Sequence, residues 1–201
     1  MATENSTSPV AKDKPSRTLV ILPNLLTAYR FLAAPFLVIL MTAARETGTQ
    51  LLIFTVFLSA ALTDMADGYV ARKFKTESVL GKLMDPLADK VLVVAPLIML
   101  LAAGDISAWL CFFLIAREIT VTGFRGLAAA RGLVVAASGL GKMKNIFIYT
   151  GLGILLFPLE LVPLPFLRAL GILTLQAGLF ISIWSGCDYF FKLRKIFLDS
   201  E

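Results

Sequence analysis

Apolar residues in this chain come in six long runs, and that pattern excludes most folds. The runs fall near residues 23–44, 51–72, 83–103, 106–130, 144–164 and 166–191. Each is close to the roughly 20 residues a helix needs to cross a hydrocarbon layer. A soluble amphipathic helix would break such a run with polar residues on every turn, and with 58% of residues hydrophobic and 16% charged the chain has too few. Backbone groups in lipid must be satisfied within their own segment, which favours helices. The expected fold is therefore an all-α integral membrane domain of six transmembrane helices over residues 17–195. Residues 17–22 are expected as a short interfacial segment, residues 1–16 as a mobile polar arm, and residues 196–201 as a C-terminal tail. A cleaved signal peptide is the rival reading of the first run, with Thr42, Ala43 and Ala44 at the cleavage site. Asn24, Thr27, Tyr29 and Arg30 interrupt that run and speak against it.

Six spans put both termini on one side. Lys12, Lys14, Arg17, Arg72, Lys73, Lys75, Lys82, Arg131, Lys142, Lys144, Lys192, Arg194 and Lys195 all fall on that side, whereas the alternate connections hold only Arg45 and Arg168 beside acidic residues. The positive-inside bias makes the basic side cytoplasmic. The chain is thus expected to be multi-pass in a cell membrane, such as a bacterial inner membrane, with its active site facing the cytoplasm. This distribution accounts for the formal net charge of +5, and no nucleic-acid partner is expected. Cys111 and Cys187 lie in apolar surroundings and read as buried thiols. No paired Gly/Pro-broken segments recur in two halves, which weighs against an inverted-repeat transporter.

The chemistry concentrates in residues 64–89. The chain has no histidine, which removes a Ser-His-Asp triad, a His general base and His-ligated zinc. What remains is carboxylates, Lys, Arg, hydroxyls or a metal held by oxygen. Asp64 and Asp67 are three residues apart, and Asp85 and Asp89 four apart, so each pair shares one helix face. Counted from a hairpin tip near Thr76, the pairs lie at matching depths on adjacent antiparallel helices, at about 1.5 Å per residue. Four carboxylates so placed cannot all ionise without a cation, and an all-oxygen site favours Mg2+ or Mn2+. A two-metal clamp for phosphoryl chemistry fits that number of ligands. Gly68, Ala71 and Gly81 would leave room beside it for a nucleotide, and Arg72 could hold a diphosphate. The competing readings are close helix packing for the small residues, and ion pairing or a cation-translocation path for the aspartates.

The string D-x2-D-G-x2-A-R-x8-G-x3-D-x3-D, running from Asp64 to Asp89, resembles at every fixed position the signature of the CDP-alcohol phosphatidyltransferase family. The resemblance implies a six-helix membrane enzyme, a homodimer, that moves a phosphatidyl group from a CDP-lipid to an alcohol. It implies that Asp64, Asp67 and Asp85 bind two divalent metal ions, with Asp89 as ligand or general base. It also implies that Gly68, Ala71, Arg72 and Gly81 line the CDP-lipid site. Residues 23–30, 117–125, 141–144 and 185–189 look like the branch of the family that uses CDP-diacylglycerol and glycerol 3-phosphate, although Asn145 and Cys187 depart from its pattern. On that likeness Arg117, Arg125, Lys142 and Lys144 would bind the acceptor phosphate, and Asn24, Thr27 and Arg30 would reach the headgroup region of the CDP-lipid. Glu118 is read as pairing with Arg125 or orienting it. For Lys142 and Lys144 the alternative is ordinary cytoplasmic-side charge. Another acceptor (inositol phosphate, serine or phosphatidylglycerol) and a divalent-cation transporter stay open as rival functions.

Overall fold

A computed structural model gives the structure of the protein. It describes the backbone of residues 17–43, 46–74, 79–130, 139–162 and 164–198, and the side chains of 24–43, 46–63, 84–130, 141–162 and 164–191. Six α-helices account for most of the described residues: α1 (Arg17–Thr42), α2 (Thr47–Phe74), α3 (Val79–Ala102), α4 (Ala108–Ala130), α5 (Gly139–Leu156) and α6 (Leu167–Leu198). Each apolar run of the sequence has become one helix, and no strand occurs among the described residues. The 1–16 arm lies outside them.

The boundaries differ from expectation in three places. Residues 17–22 are not a separate segment but the first turns of α1. The fifth helix stops at Leu156 rather than near 164, and a 3-10 turn at Leu159–Leu161 follows. Pro158 explains this, because its ring blocks continuation of the helix and biases the residue before it away from helical geometry. Helix α6 continues to Leu198, past the point where a tail is expected. The turn between α3 and α4 follows its residues closely. Gly104 takes a positive φ of 76°, while its N–H reaches the Leu101 carbonyl and that of Asp105 the Leu100 carbonyl, both at 2.9 Å. That double bond caps α3 and needs a residue tolerant of left-handed backbone. Ser107 then caps α4, its Oγ accepting the Leu110 N–H at 3.3 Å.

The helices form two groups of three. Helix α1 packs along both α2 and α3, and α6 packs along both α5 and α4. Helix α2 meets α5, and α3 meets α4 and α5, more lightly, while α2 and α3 touch each other little among the described residues. Leu37, Phe57, Leu92, Leu114, Leu152 and Leu175, one from each helix in order, belong to a single buried cluster that joins the groups. Close approach of α5 and α6 depends on glycine: a Cβ on Gly151 would stand 2.8 Å from Leu175 Cγ, and one on Gly178 would stand 3.0 Å from Ile148 Cγ1.

The outer faces are apolar, with Leu32, Ile39, Trp109, Ile119, Phe180 and Trp184 among the exposed residues. Asn24–Thr42 and Leu167–Phe191 are long and apolar enough to cross a membrane, and Thr47–Thr63 is a shorter apolar helix. Cys111 is buried as expected, but Cys187 is exposed.

Candidate active site

Two polar clusters interrupt the apolar interior. In the first, Arg30 of α1 is 0% exposed and makes ion pairs with Asp85 and Asp89 of α3. Its Nη2 donates to Asp85 Oδ1 and its Nη1 to Asp89 Oδ1. Thr27, one turn earlier on α1, donates its hydroxyl to the same Asp85 oxygen at 3.3 Å. The spacing produces this arrangement: Thr27 and Arg30 share a face of α1, Asp85 and Asp89 share a face of α3, and the two helices run in the same direction. A fully buried guanidinium requires such partners, since an unpaired buried charge is strongly destabilising. Its planar fork is suited to bridging two carboxylates.

Asp85 and Asp89 are nonetheless 43% and 32% exposed at the side chain. Two half-exposed carboxylates one turn apart, contacted through their Oδ1 atoms, are a fitting donor set for a hard divalent ion. Asp64 and Asp67 fall in α2, but their side chains lie outside the described residues, as do those of Gly68, Ala71, Arg72 and Gly81. Among the described residues no group of three or more acidic, His or Cys side chains is gathered. Asn24 is half-buried, one turn before Thr27 on α1.

The second cluster lies among α4, α5 and α6. Glu118 Oε1 accepts from Arg117 Nη1 at 2.8 Å and also from Lys144 Nζ. Arg117 continues into α6, where its Nε donates to the Ser182 carbonyl at 2.7 Å and its Nη2 to Ser185 Oγ at 3.4 Å. Lys144 is 8% exposed, more buried than a lysine placed merely by cytoplasmic-side bias. Two turns further along α4, Arg125 is exposed, with its guanidinium 5.6 Å from the centre of the Tyr189 ring of α6, a cation–π distance. The eight-residue spacing thus directs both arginines toward α6. Lys142 is exposed.

One pairing is corrected. Glu118 does not pair with Arg125: seven residues put the two about 10 Å apart along the helix axis. Lys144 on the neighbouring helix and the long side chain of Arg117 reach the carboxylate first. Sequence reasoning also missed the part Arg30 plays beside Asp85 and Asp89, and any part for Ser182 and Ser185. The signal for Arg30 was a lone cation inside an apolar run, three residues after Thr27. For the serines there was none, because Ser182 offers its carbonyl to Arg117.

The fold and these clusters define an all-helical bundle, two of whose helices are long and apolar enough to cross a membrane, with an acidic group on one half and a basic group on the other among the described residues. The chain matches the CDP-alcohol phosphatidyltransferase profile over residues 20–184, and it belongs to that family of transferases. It is 38% identical over 185 residues to the CDP-diacylglycerol–glycerol-3-phosphate 3-phosphatidyltransferase of Bacillus subtilis strain 168, covering 85% of this chain and 94% of that protein. It is 35% identical to the protein of the same name in Rickettsia bellii, over 88% of this chain and 97% of that one. With that of Rickettsia felis the identity is 33%, over the same shares.

Proposed function

We propose that the protein transfers the phosphatidyl group of CDP-diacylglycerol to glycerol 3-phosphate, forming phosphatidylglycerophosphate and CMP in phospholipid biosynthesis. The likeness to relatives so named supports the reaction. The observation that carries the acceptor is the cation excess at α4–α6, where Arg117 and Lys144 share a single Glu118 oxygen and Arg125 stands two turns on.

Asp64, Asp67, Asp85 and Asp89 would hold two divalent ions, Mg2+ or Mn2+, which when bound neutralise diphosphate charge and polarise the phosphorus. Arg72 pairs with the diphosphate, and Gly68, Ala71 and Gly81 leave space for the nucleotide. Asn24 and Thr27 border this half from α1. Arg117, Arg125, Lys142 and Lys144 hold the phosphate of the acceptor, which is a dianion near neutral pH. Asp89 takes the proton of the acceptor hydroxyl as that oxygen bonds to the phosphorus carrying diacylglycerol. The bond from this phosphorus to the bridging oxygen breaks, and CMP leaves with its electron pair. Six membrane crossings by the domain at 17–195, both termini and the site on the cytoplasmic side, and a homodimer complete the reading; the charge distribution of the connections supports the orientation.

The test offers radiolabelled CDP-diacylglycerol to the purified protein with Mg2+ or Mn2+ and one alcohol at a time. CMP release and a new lipid are expected with glycerol 3-phosphate. Turnover only with inositol phosphate, serine or phosphatidylglycerol would reassign the acceptor. Metal flux in proteoliposomes without CMP release would favour cation transport.

A further inference from the structure

Glu118 occupies a peculiar position: it is the anion at the centre of a group otherwise built to attract anions. We propose that Glu118 is a positioning residue that fixes Arg117 and Lys144 as one rigid phosphate-binding pair, an inference that rests on the function proposed above. Both cations end on the same carboxylate atom, Oε1, so their charged ends are held within a few ångströms of each other. Without that oxygen, two largely buried like charges from different helices would repel and swing apart.

The remaining contacts make the pair stiff. Arg117 spends its Nε on the Ser182 carbonyl and one Nη2 hydrogen on Ser185. Of its five N–H donors three are used, which leaves one on each Nη. Lys144 keeps two of its three. Helix α6 lies close here: a Cβ on Gly186 would stand at ordinary contact distance, 3.4 Å from Val121 Cγ2 and 3.6 Å from Arg117 Nε. Beside it the Ser182 hydroxyl is buried and has no hydrogen-bond partner among the described residues. Arg117, Lys144 and Glu118 together carry one net positive charge, to which Arg125 and Lys142 of the proposed acceptor site add theirs. Glu118 thus lowers the electrostatic cost of keeping two cations at this depth without filling the donors the acceptor needs.

The experiment measures steady-state kinetics of Glu118→Gln and Glu118→Asp with each substrate varied in turn, beside thermal unfolding in detergent. Glu118→Gln should raise KM for glycerol 3-phosphate about tenfold to a hundredfold, as misplacement of binding groups by an ångström does. KM for CDP-diacylglycerol should stay within about twofold, and Glu118→Asp should recover part of the loss. If Glu118→Gln unfolds the protein, Glu118→Asp serves alone: it keeps the charge but withdraws the carboxylate from both cations, and should raise KM for glycerol 3-phosphate, by less than Glu118→Gln would, without raising that for CDP-diacylglycerol. An unchanged acceptor KM in a folded variant, or equal rises for both substrates, would overturn the inference while leaving the proposed function intact. A wild-type protein that releases no CMP with glycerol 3-phosphate would overturn the proposed function instead.

Discussion

The two halves of the bundle solve the same electrostatic problem with opposite signs. In the α1–α3 half one buried cation, Arg30, is held by two carboxylates; in the α4–α6 half one carboxylate, Glu118, holds two cations. A balanced pair would suffice to keep a charge at membrane depth. Among the described residues each group of three leaves one charge over, negative beside α3 and positive beside α6. On the proposed function, that surplus would suit a divalent cation in one half and a phosphate in the other. On that reading, groups of opposite sign on the two halves would keep the proposed metal site and the proposed acceptor site from quenching each other.

The largest expected effect attacks the acidic half. Asp89→Asn should lower turnover on the order of a thousandfold, the usual worth of a general base. Folding should persist, because Asp85 still pairs with Arg30 and the amide keeps the shape. CMP release measured beside the thermal unfolding midpoint separates the two; near-normal turnover would remove Asp89 from the chemistry.

Arg30→Met leaves two carboxylates together and should destabilise the fold by about 3 kcal/mol, the low end of the range for breaking a buried pair, because Asp85 and Asp89 are 43% and 32% exposed and water solvates them in part. Here the comparison becomes sharp. Millimolar Mg2+ or Mn2+ should raise the unfolding midpoint of Arg30→Met more than that of the wild type, since a metal replaces the lost cation. The same salts should do nothing special for Glu118→Gln. Equal responses from both variants would break the idea that the halves differ in sign.

Packing within the α4–α6 half gives a smaller effect. A Cβ on Gly151 would come within 2.9 Å of Leu175 Cδ2 and 3.0 Å of its backbone nitrogen, so the helices themselves must shift. Gly151→Ala should cost about 1–3 kcal/mol, as overpacking does. Activity per folded molecule should change far less than in Glu118→Gln, and denaturation monitored with CMP release would show it.

Much of this architecture was legible because each long apolar run became one helix. The α3–α4 turn was equally open to reading, through Gly104 and Ser107. The early end of α5 was harder, since residues 157–164 remain apolar and only Pro158 marks the stop. Within the site, spacing along one helix was readable, which put Asp85 with Asp89 and directed Arg117 and Arg125 toward one neighbour. Partners across helices were not. Arg30 reaches α3 and Lys144 reaches Glu118 by packing that no intrahelical spacing encodes, and Glu118 was for that reason matched to the wrong arginine. Cys187 shows the same limit, because apolar neighbours in sequence do not tell which side of a membrane helix faces lipid.

The smallest effect belongs to an ion pair that links the halves at the opposite end. Arg168, at the start of α6, pairs at 2.5 Å with Asp105 in the α3–α4 turn, and its side chain is 53% exposed. Residue content there resembles the inner clusters, a cation on an anion between helices, yet the surroundings differ. Water screens an exposed pair and solvates each partner when the other is lost, so such pairs contribute about 0–1 kcal/mol. Arg168→Ala should therefore lower stability by less than about 1 kcal/mol, leave both KM values unchanged, and lose even that small effect in high salt. Thermal unfolding at two ionic strengths reads it directly. A loss comparable to that of Arg30→Met would mean that burial is not what separates the structural pairs of this bundle from its functional ones.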